Sequence, residues 1–90
     1  MGLVAATLQR KLTEAFAPSH LQIVDDSHRH AGHAGAHEGG ESHFNVVIEA
    51  TAFEGLSRIA RQRLVNAALA EELAGPVHAL SIKARAPGEG

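Results

Sequence analysis

A segment rich in histidine and glycine interrupts this sequence and limits the folds that are open to it. Residues 27–41 hold four of the seven histidines and four of the nine glycines in the 90-residue chain. They show no apolar periodicity, so the pattern predicts neither a helix nor a strand there. A loop of this length is uncommon in so small a domain and is usually functional or mobile. The remaining residues suffice for one domain with a small core.

Apolar periodicity predicts two helices and three strands around this loop. Apolar residues spaced by four predict an amphipathic helix over residues 3–17, which Pro18 ends. A second helix is predicted over residues 58–74, with Ser57 as its N-cap and Gly75-Pro76 as its end. Period-two alternation predicts strands over residues 20–26, 42–51 and 77–85.

The predicted order of helix, strand, strand, helix, strand indicates an α+β domain, a three-stranded sheet with helices on one face. The first two strands should pair antiparallel, and the third should run parallel to one of them because it follows a helical crossover. In the third strand, alternation puts His78 on the same face as Leu80 and Ile82. We predict a single domain over residues 1–90 that ends in a flexible tail at residues 86–90.

The composition excludes several classes of function. The chain has no cysteine, which excludes disulfides, thiolate catalysis and any self-contained Cys-ligated metal site. A net charge of −2 and only three aromatic residues, all Phe, argue against a strongly basic or base-stacking nucleic-acid surface. The sequence contains no catalytic motif, no apolar run long enough for a membrane and no signal-peptide pattern. We therefore expect a protein that is not an enzyme and does not associate with membranes.

The histidines are the first candidate for chemistry. Neutral imidazole is a common ligand of Zn, Cu, Ni and Fe. The histidine spacing in residues 27–41 matches no established metal signature, so the loop is either metal-binding or solvated with incidental histidines. A lone histidine on an apolar strand face is more often hydrogen-bonded than a ligand. His78 on its own therefore does not indicate a metal site.

The basic start of the second predicted helix is another candidate. Arg58 and Arg61 lie in its first turn, where positive charge opposes the helix macrodipole at a small cost in free energy. The arrangement indicates either a solvated face or a binding site for phosphate or an acidic protein surface.

Five segments in order resemble the BolA family. They are residues 24–30, 40–44, 53–58 together with 61–65, 70–73 and 77–82. The resemblance extends from about residue 3 to residue 85. It implies an α+β fold related to the type II KH domain, which agrees with the order of elements predicted above. It also implies a cytoplasmic protein, monomeric or a weak homodimer when alone.

The resemblance further implies a partner and a cofactor. BolA-like proteins associate with monothiol glutaredoxins, share a [2Fe–2S] cluster with them, and are linked to iron–sulfur trafficking and iron homeostasis. The partner would supply two thiolates, one its own and one from bound glutathione, which leaves two of four positions for histidine. The family's C-terminal ligand corresponds to His78. Its second ligand, in the loop, corresponds to His30, or to His33 when counted back from Phe44, whereas His43 is expected to be structural. Imidazole must be deprotonated to bind, so such a site should be sensitive to pH.

Two rival hypotheses come from other classes of function. Some bacterial family members are described as transcription regulators of stress response and cell shape, which suggests DNA binding through a KH-like fold. The candidate contacts are Arg58, Arg61, Lys83 and Arg85. The other rival is buffering of Zn, Ni or Cu by the loop alone. Its candidate ligands are His28, His30, His33 and His37.

Overall fold

The computed structural model describes residues 2–25 and 43–89. Its elements are α1 (Leu3–Phe16), β1 (His20–Asp25), β2 (His43–Glu49), α2 (Arg58–Ala68), α3 (Ala70–Ala74) and β3 (Ala79–Arg85). A short 3-10 turn, Thr51–Phe53, lies between β2 and α2. In these two ranges, no helix combines the length and the apolar character needed to cross a membrane. The predicted α+β class is confirmed.

The sheet has the order β1-β2-β3, so β2 is its central strand. β1 pairs antiparallel with β2, and β3 pairs parallel with β2, as the sequence predicts. In the parallel pair Phe44 lies opposite Leu80, and His43 lies opposite Ala79. Because parallel strands begin at the same edge of a sheet, the starts of β2 and β3 lie side by side.

The core forms where α1 and α2 pack against one face of the sheet. Alternation along β2 buries Phe44, Val46 and Ile48 and leaves the residues between them half-buried on the other face. The spacing of four in α1 buries Leu8 and Leu12 against them. Helices on one face of a three-stranded sheet are what the periodicity predicts.

Phe53 is a core residue that the sequence pattern does not identify. It lies between the predicted strand over residues 42–51 and the predicted helix over residues 58–74, yet its side chain is 0 % exposed. Its ring centroid lies 5.1 Å from that of Phe16, with an angle of 42° between the planes. The Phe53 backbone carbonyl accepts a hydrogen bond from the Leu56 N–H at 3.2 Å, so the backbone that leads into α2 is held beside the buried ring. A single apolar residue in a turn has no periodicity and therefore gives no signal of burial.

The prediction of one continuous helix over residues 58–74 is wrong, because the helix is interrupted at Leu69. Leu69 has φ −111° and ψ 21°, and its N–H donates to the carbonyls of Val65 at 3.1 Å and Asn66 at 3.2 Å. The break accompanies complete burial of Leu69, whereas Leu64, on the preceding turn of α2, is 41 % exposed. No glycine or proline lies at this position. The apolar periodicity of the sequence therefore continues past Leu69 and does not reveal the break.

The predicted orientation of His78 is also wrong. β3 begins at Ala79, and alternation does not extend to the two residues before it. Val77 is turned into the core at 2 % exposure, and the adjacent His78 is exposed. His78 therefore does not share the core-facing side of Leu80 and Ile82. Val77 takes the buried position in this segment, so the alternation of β3 does not continue back to His78.

Candidate functional site

Two histidines meet at the sheet edge where β2 and β3 begin. The ring centroids of His43 and His78 lie 6.3 Å apart, with 17° between the ring planes. The parallel register explains this, because His43 lies opposite Ala79, the residue that follows His78. We call this pair the histidine edge. Residues far apart in sequence thus place two imidazoles on one side of the domain.

The backbone that carries His78 is anchored on its preceding side. The Val77 N–H donates to the carbonyl of Glu72 at 2.9 Å, and the Val77 side chain is buried. The side chains of Glu71 and Glu72 lie 3.1 and 2.8 Å from the Lys11 ammonium of α1. These hydrogen bonds raise the pKa of Lys11, first through Glu72 and then through Glu71. An exposed imidazole therefore stands on a chain segment that α1, α3 and the core all hold.

The structure brings His43 into the candidate site, which its sequence position alone does not predict. His43 lies on the sheet face opposite Phe44, as expected, and is half-buried there. Its proximity to His78 depends on the parallel register of β2 and β3. Periodicity fixes which face a residue takes but not which residue of another strand lies beside it. The sequence predictions for His30 and His33 concern residues outside the described ranges.

The donor set at the histidine edge fits a shared metal group better than a self-contained one. Within residues 2–25 and 43–89, no group of three or more His, Cys, Asp or Glu side chains is placed to hold a metal ion. A [2Fe–2S] cluster takes four ligands, and cysteine is absent from the chain. Any cluster bound here must therefore receive thiolate ligands from another molecule.

A second candidate site is a cavity of about 470 Å³ between α2 and β3. We call it the basic cavity. Its lining residues are Arg58, Arg61, Gln62, Ser81, Ile82, Lys83 and Ala84. Three of the four predicted nucleic-acid contacts are thus brought together, and none of the lining residues is acidic. Arg85, the fourth, does not line the cavity.

Arg85 is instead part of an ion pair that joins β2 and β3. Its Nε donates to Glu49 Oε2 at 3.0 Å, and the Ser19 hydroxyl donates to Glu49 Oε1 at 2.8 Å. These two hydrogen bonds lower the pKa of Glu49, and the one from Ser19 has the larger effect. Arg85 therefore has a structural carboxylate partner in this fold.

Arg61 is the most constrained cation of the basic cavity. Its Nε donates to the Leu56 carbonyl at 3.0 Å and its Nη1 to the Ala84 carbonyl at 3.3 Å. Nη1 and Nη2 also contact the two carboxylate oxygens of Glu89 at 2.6 and 2.8 Å. The Arg61 side chain is only 12 % exposed. Both ends of the guanidinium group are thus held by hydrogen bonds from different elements.

The contact with Glu89 folds the C-terminal residues back onto the domain. Ala86 is buried, Gly88 has φ 88°, and the Ala86 N–H donates to Glu89 Oε1 at 3.0 Å. The positive φ at Gly88 makes the turn that returns Glu89 to Arg61. The prediction of a flexible tail did not include these contacts, because a single glutamate between two glycines carries no local pattern.

The pair formed by Arg61 and Glu89 predicts a specific pH dependence of stability. The Arg61 hydrogen bonds, followed by that from the Ala86 N–H, lower the pKa of Glu89 from 4.5 to about 2. A lowered carboxyl pKa contributes stability above the unfolded value, and this contribution is lost as the pH falls through the folded value. We expect Glu89→Gln to lower Tm at neutral pH, with a difference from wild type that shrinks between pH 4.5 and about 2.

Calorimetric melting of both proteins across this pH range tests the expectation. A Tm difference that stays constant down to the most acidic sample would contradict an ionised Glu89 in the folded state.

Comparisons with known proteins give the family. The family model described as BolA-like protein matches residues 12–89. An uncharacterized protein in the cobS 5′ region of Sinorhizobium sp. is 46 % identical over 84 residues, which cover 92 % of this chain and 90 % of that protein. Human BolA-like protein 1 is 49 % identical over 89 residues, 99 % of this chain, although the chain spans only 62 % of that relative's length. The solved BolA domain of SufE1 from Arabidopsis thaliana superimposes with a TM-score of 0.89 and 39 % identity, covering 100 % of this chain and 99 % of that one.

Proposed function

This chain belongs to the BolA family, and on that premise we propose that it shares a [2Fe–2S] cluster with a monothiol glutaredoxin. In this role it is a partner protein and not an enzyme. The cluster is a cargo that passes between the two proteins during iron–sulfur trafficking and iron homeostasis. We also propose that this protein is located in the cytoplasm.

The observation that carries the proposal is the exposed imidazole of His78 at the histidine edge. A shared cluster needs a ligand that a second protein can approach, and His78 stands exposed on an anchored backbone. The chain offers nitrogen ligands and no thiolate. Two thiolates, one from the glutaredoxin and one from its bound glutathione, would complete the set of four together with two histidines.

The second nitrogen ligand comes from three candidates. The sequence resemblance favours His30, with His33 as its alternative. The structure adds His43, whose ring lies 6.3 Å from that of His78. Whichever histidine serves, a pair of imidazoles on one iron is expected to raise the reduction potential above that of an all-thiolate cluster.

A titration monitored by visible absorption and circular dichroism tests the proposal. A monothiol glutaredoxin carrying a [2Fe–2S] cluster and glutathione is mixed with increasing amounts of the wild-type chain. We expect a new spectrum that saturates at one chain per glutaredoxin, because replacement of thiolate by imidazole changes the charge-transfer bands. A spectrum that stays unchanged in excess chain would contradict the proposal.

The DNA-binding alternative stays a prediction with weaker support. Of its four candidate contacts, Arg61 is paired with Glu89 and Arg85 with Glu49. Only Arg58 and Lys83 lack a carboxylate partner among the described residues. Binding to duplex DNA grows with the number of phosphates neutralised, and two cations on a chain of net charge −2 provide little of this attraction.

A further inference from the structure

Arg61, one of the residues that line the basic cavity, already binds a carboxylate that the protein supplies itself. Both oxygens of Glu89 contact the Arg61 guanidinium group, the two-point geometry in which arginine recognises carboxylates. The carbonyls of Leu56 and Ala84 hold the same guanidinium group from other elements. Removal of Glu89 therefore leaves Arg61 in place for another carboxylate.

The cavity holds more positive charge than Glu89 can balance. Arg58 and Lys83 also line it, and neither has a carboxylate partner among the residues that the structure describes. The Glu89 side chain is itself 46 % exposed, so a competing group can reach it and displace it. With about 470 Å³, the cavity has room for more than one side chain of a ligand.

The strand beside the cavity has an open edge. β3 is an outer strand of the sheet, paired only with β2 among the described residues. The Arg85 carbonyl points toward β2, since it accepts from the Ala50 N–H at 3.0 Å, whereas the Ala84 carbonyl points to Arg61. By alternation, the backbone groups of Ile82 point the same way as those of Ala84, away from β2. They can pair with an added strand, a common mode of peptide recognition.

The cavity and the histidine edge lie along the same strand. Ile82 follows His78 by four residues, which corresponds to roughly 13 Å at about 3.3 Å per residue of extended chain. A protein seated against His78 therefore reaches the cavity with a short segment that follows β3.

We propose that an acidic, extended segment of the protein that sits at His78 binds along the outer edge of β3 and into the basic cavity. Its carboxylates replace Glu89 on Arg61 and pair with Arg58 and Lys83. The location of this segment on the cluster-sharing partner rests on the proposed function. The binding of an acidic strand to the basic cavity does not depend on that function and can be tested separately.

A synthetic peptide tests the cavity without the partner. Isothermal titration measures binding of an extended peptide of alternating Glu and Thr, with a peptide of alternating Gln and Thr as the uncharged control. We expect the acidic peptide alone to bind. Lys83→Glu and Arg58→Glu should each weaken binding about tenfold, and Glu89→Gln should strengthen it several-fold because the internal competitor is weakened.

Arg63→Glu is the matched control, since it changes the net charge equally on an exposed part of α2 that does not line the cavity. Equal weakening by Arg63→Glu, or no binding of the acidic peptide, would overturn the proposal. Loss of binding to a short DNA duplex in the Lys83 and Arg58 variants, with peptide binding unchanged, would assign the cavity to nucleic acid instead.

The same variants in the cluster titration separate the two proposals. If the peptide binds the cavity but the glutaredoxin spectrum never changes, the acidic-strand site stands and the cluster proposal fails. If the spectrum changes but neither Lys83→Glu nor the peptide affects it, the partner does not use this cavity, and the assignment of the segment to that partner is overturned.

Discussion

His78→Ala is expected to abolish the spectrum of the shared cluster. The substitution removes an exposed imidazole that the proposal assigns as a ligand, and the chain has no thiolate to replace it. Loss of residues that only support metal ligands already costs about 10- to 100-fold in affinity, so loss of a ligand should cost at least as much. Circular dichroism in the visible range, measured during titration of cluster-loaded glutaredoxin, gives the result directly.

The control for this variant is His20→Ala. His20 is an exposed histidine of β1, the strand at the opposite side of the sheet from β3. Neither substitution should change the free energy of unfolding by more than about 0.5 kcal/mol, because both side chains are exposed. A wild-type spectrum in His78→Ala would remove His78 from the ligand set. An equal loss in His20→Ala would show that the effect is not specific.

The same titration identifies the second nitrogen ligand. Separate variants His30→Ala, His33→Ala and His43→Ala change one candidate at a time. The variant that loses the shared spectrum while folding normally names the ligand.

Phe53→Ala is expected to remove a large part of the stability of this domain. The ring is fully buried and packs against Phe16 at 5.1 Å between centroids. Truncation of a buried phenylalanine costs about 3–5 kcal/mol, a large part of the roughly 5–13 kcal/mol expected for a domain of this length. Urea denaturation measures the change in unfolding free energy.

Ile59→Ala is the matched control, because Ile59 is an apolar side chain that is 63 % exposed near the start of α2. It should change stability by no more than about 0.5 kcal/mol. A loss below about 1 kcal/mol in Phe53→Ala would contradict its place in the core. The prediction also bears on the basic cavity, since Phe53 anchors the turn whose Leu56 carbonyl holds Arg61.

Local periodicity was enough to predict the main elements of the fold. The spacing of four in α1 and the alternation in β2 identify their buried residues, because burial on one face repeats with the period of the element. Ser57 was also predicted as an N-cap, and its side chain accepts a hydrogen bond from the Ala60 N–H at 3.1 Å. Helix caps and apolar periodicity depend on residues that are close in sequence, so a single sequence is enough to predict them.

The features that sequence patterns missed depend on contacts between distant residues. The burial of Phe53 needs Phe16, and the anchored C-terminal turn needs Arg61 to meet Glu89, 28 residues away. The break at Leu69 coincides with its complete burial, and no glycine or proline lies at this position. Each of these requires the assembled fold before it becomes visible.

In the candidate site, too, some features could be predicted from the sequence and others depend on the assembled fold. His78 was singled out by the resemblance to the BolA family and not by its spacing, and its exposed position was the opposite of what alternation predicts. The parallel register then placed His43 beside it, 6.3 Å between ring centroids. The basic residues were identified as charges, whereas their convergence on one cavity depended on the packing of α2 against β3.

The most direct test of the central claim is pulsed electron paramagnetic resonance on the reduced shared cluster. The chain is labelled with nitrogen-15 in its histidines and mixed with unlabelled, cluster-loaded monothiol glutaredoxin. The account predicts strong nitrogen-15 hyperfine couplings in the wild type and none in His78→Ala, which should not form the shared cluster. A reduced cluster without nitrogen-15 coupling from this chain would contradict the claim that its histidines bind the iron.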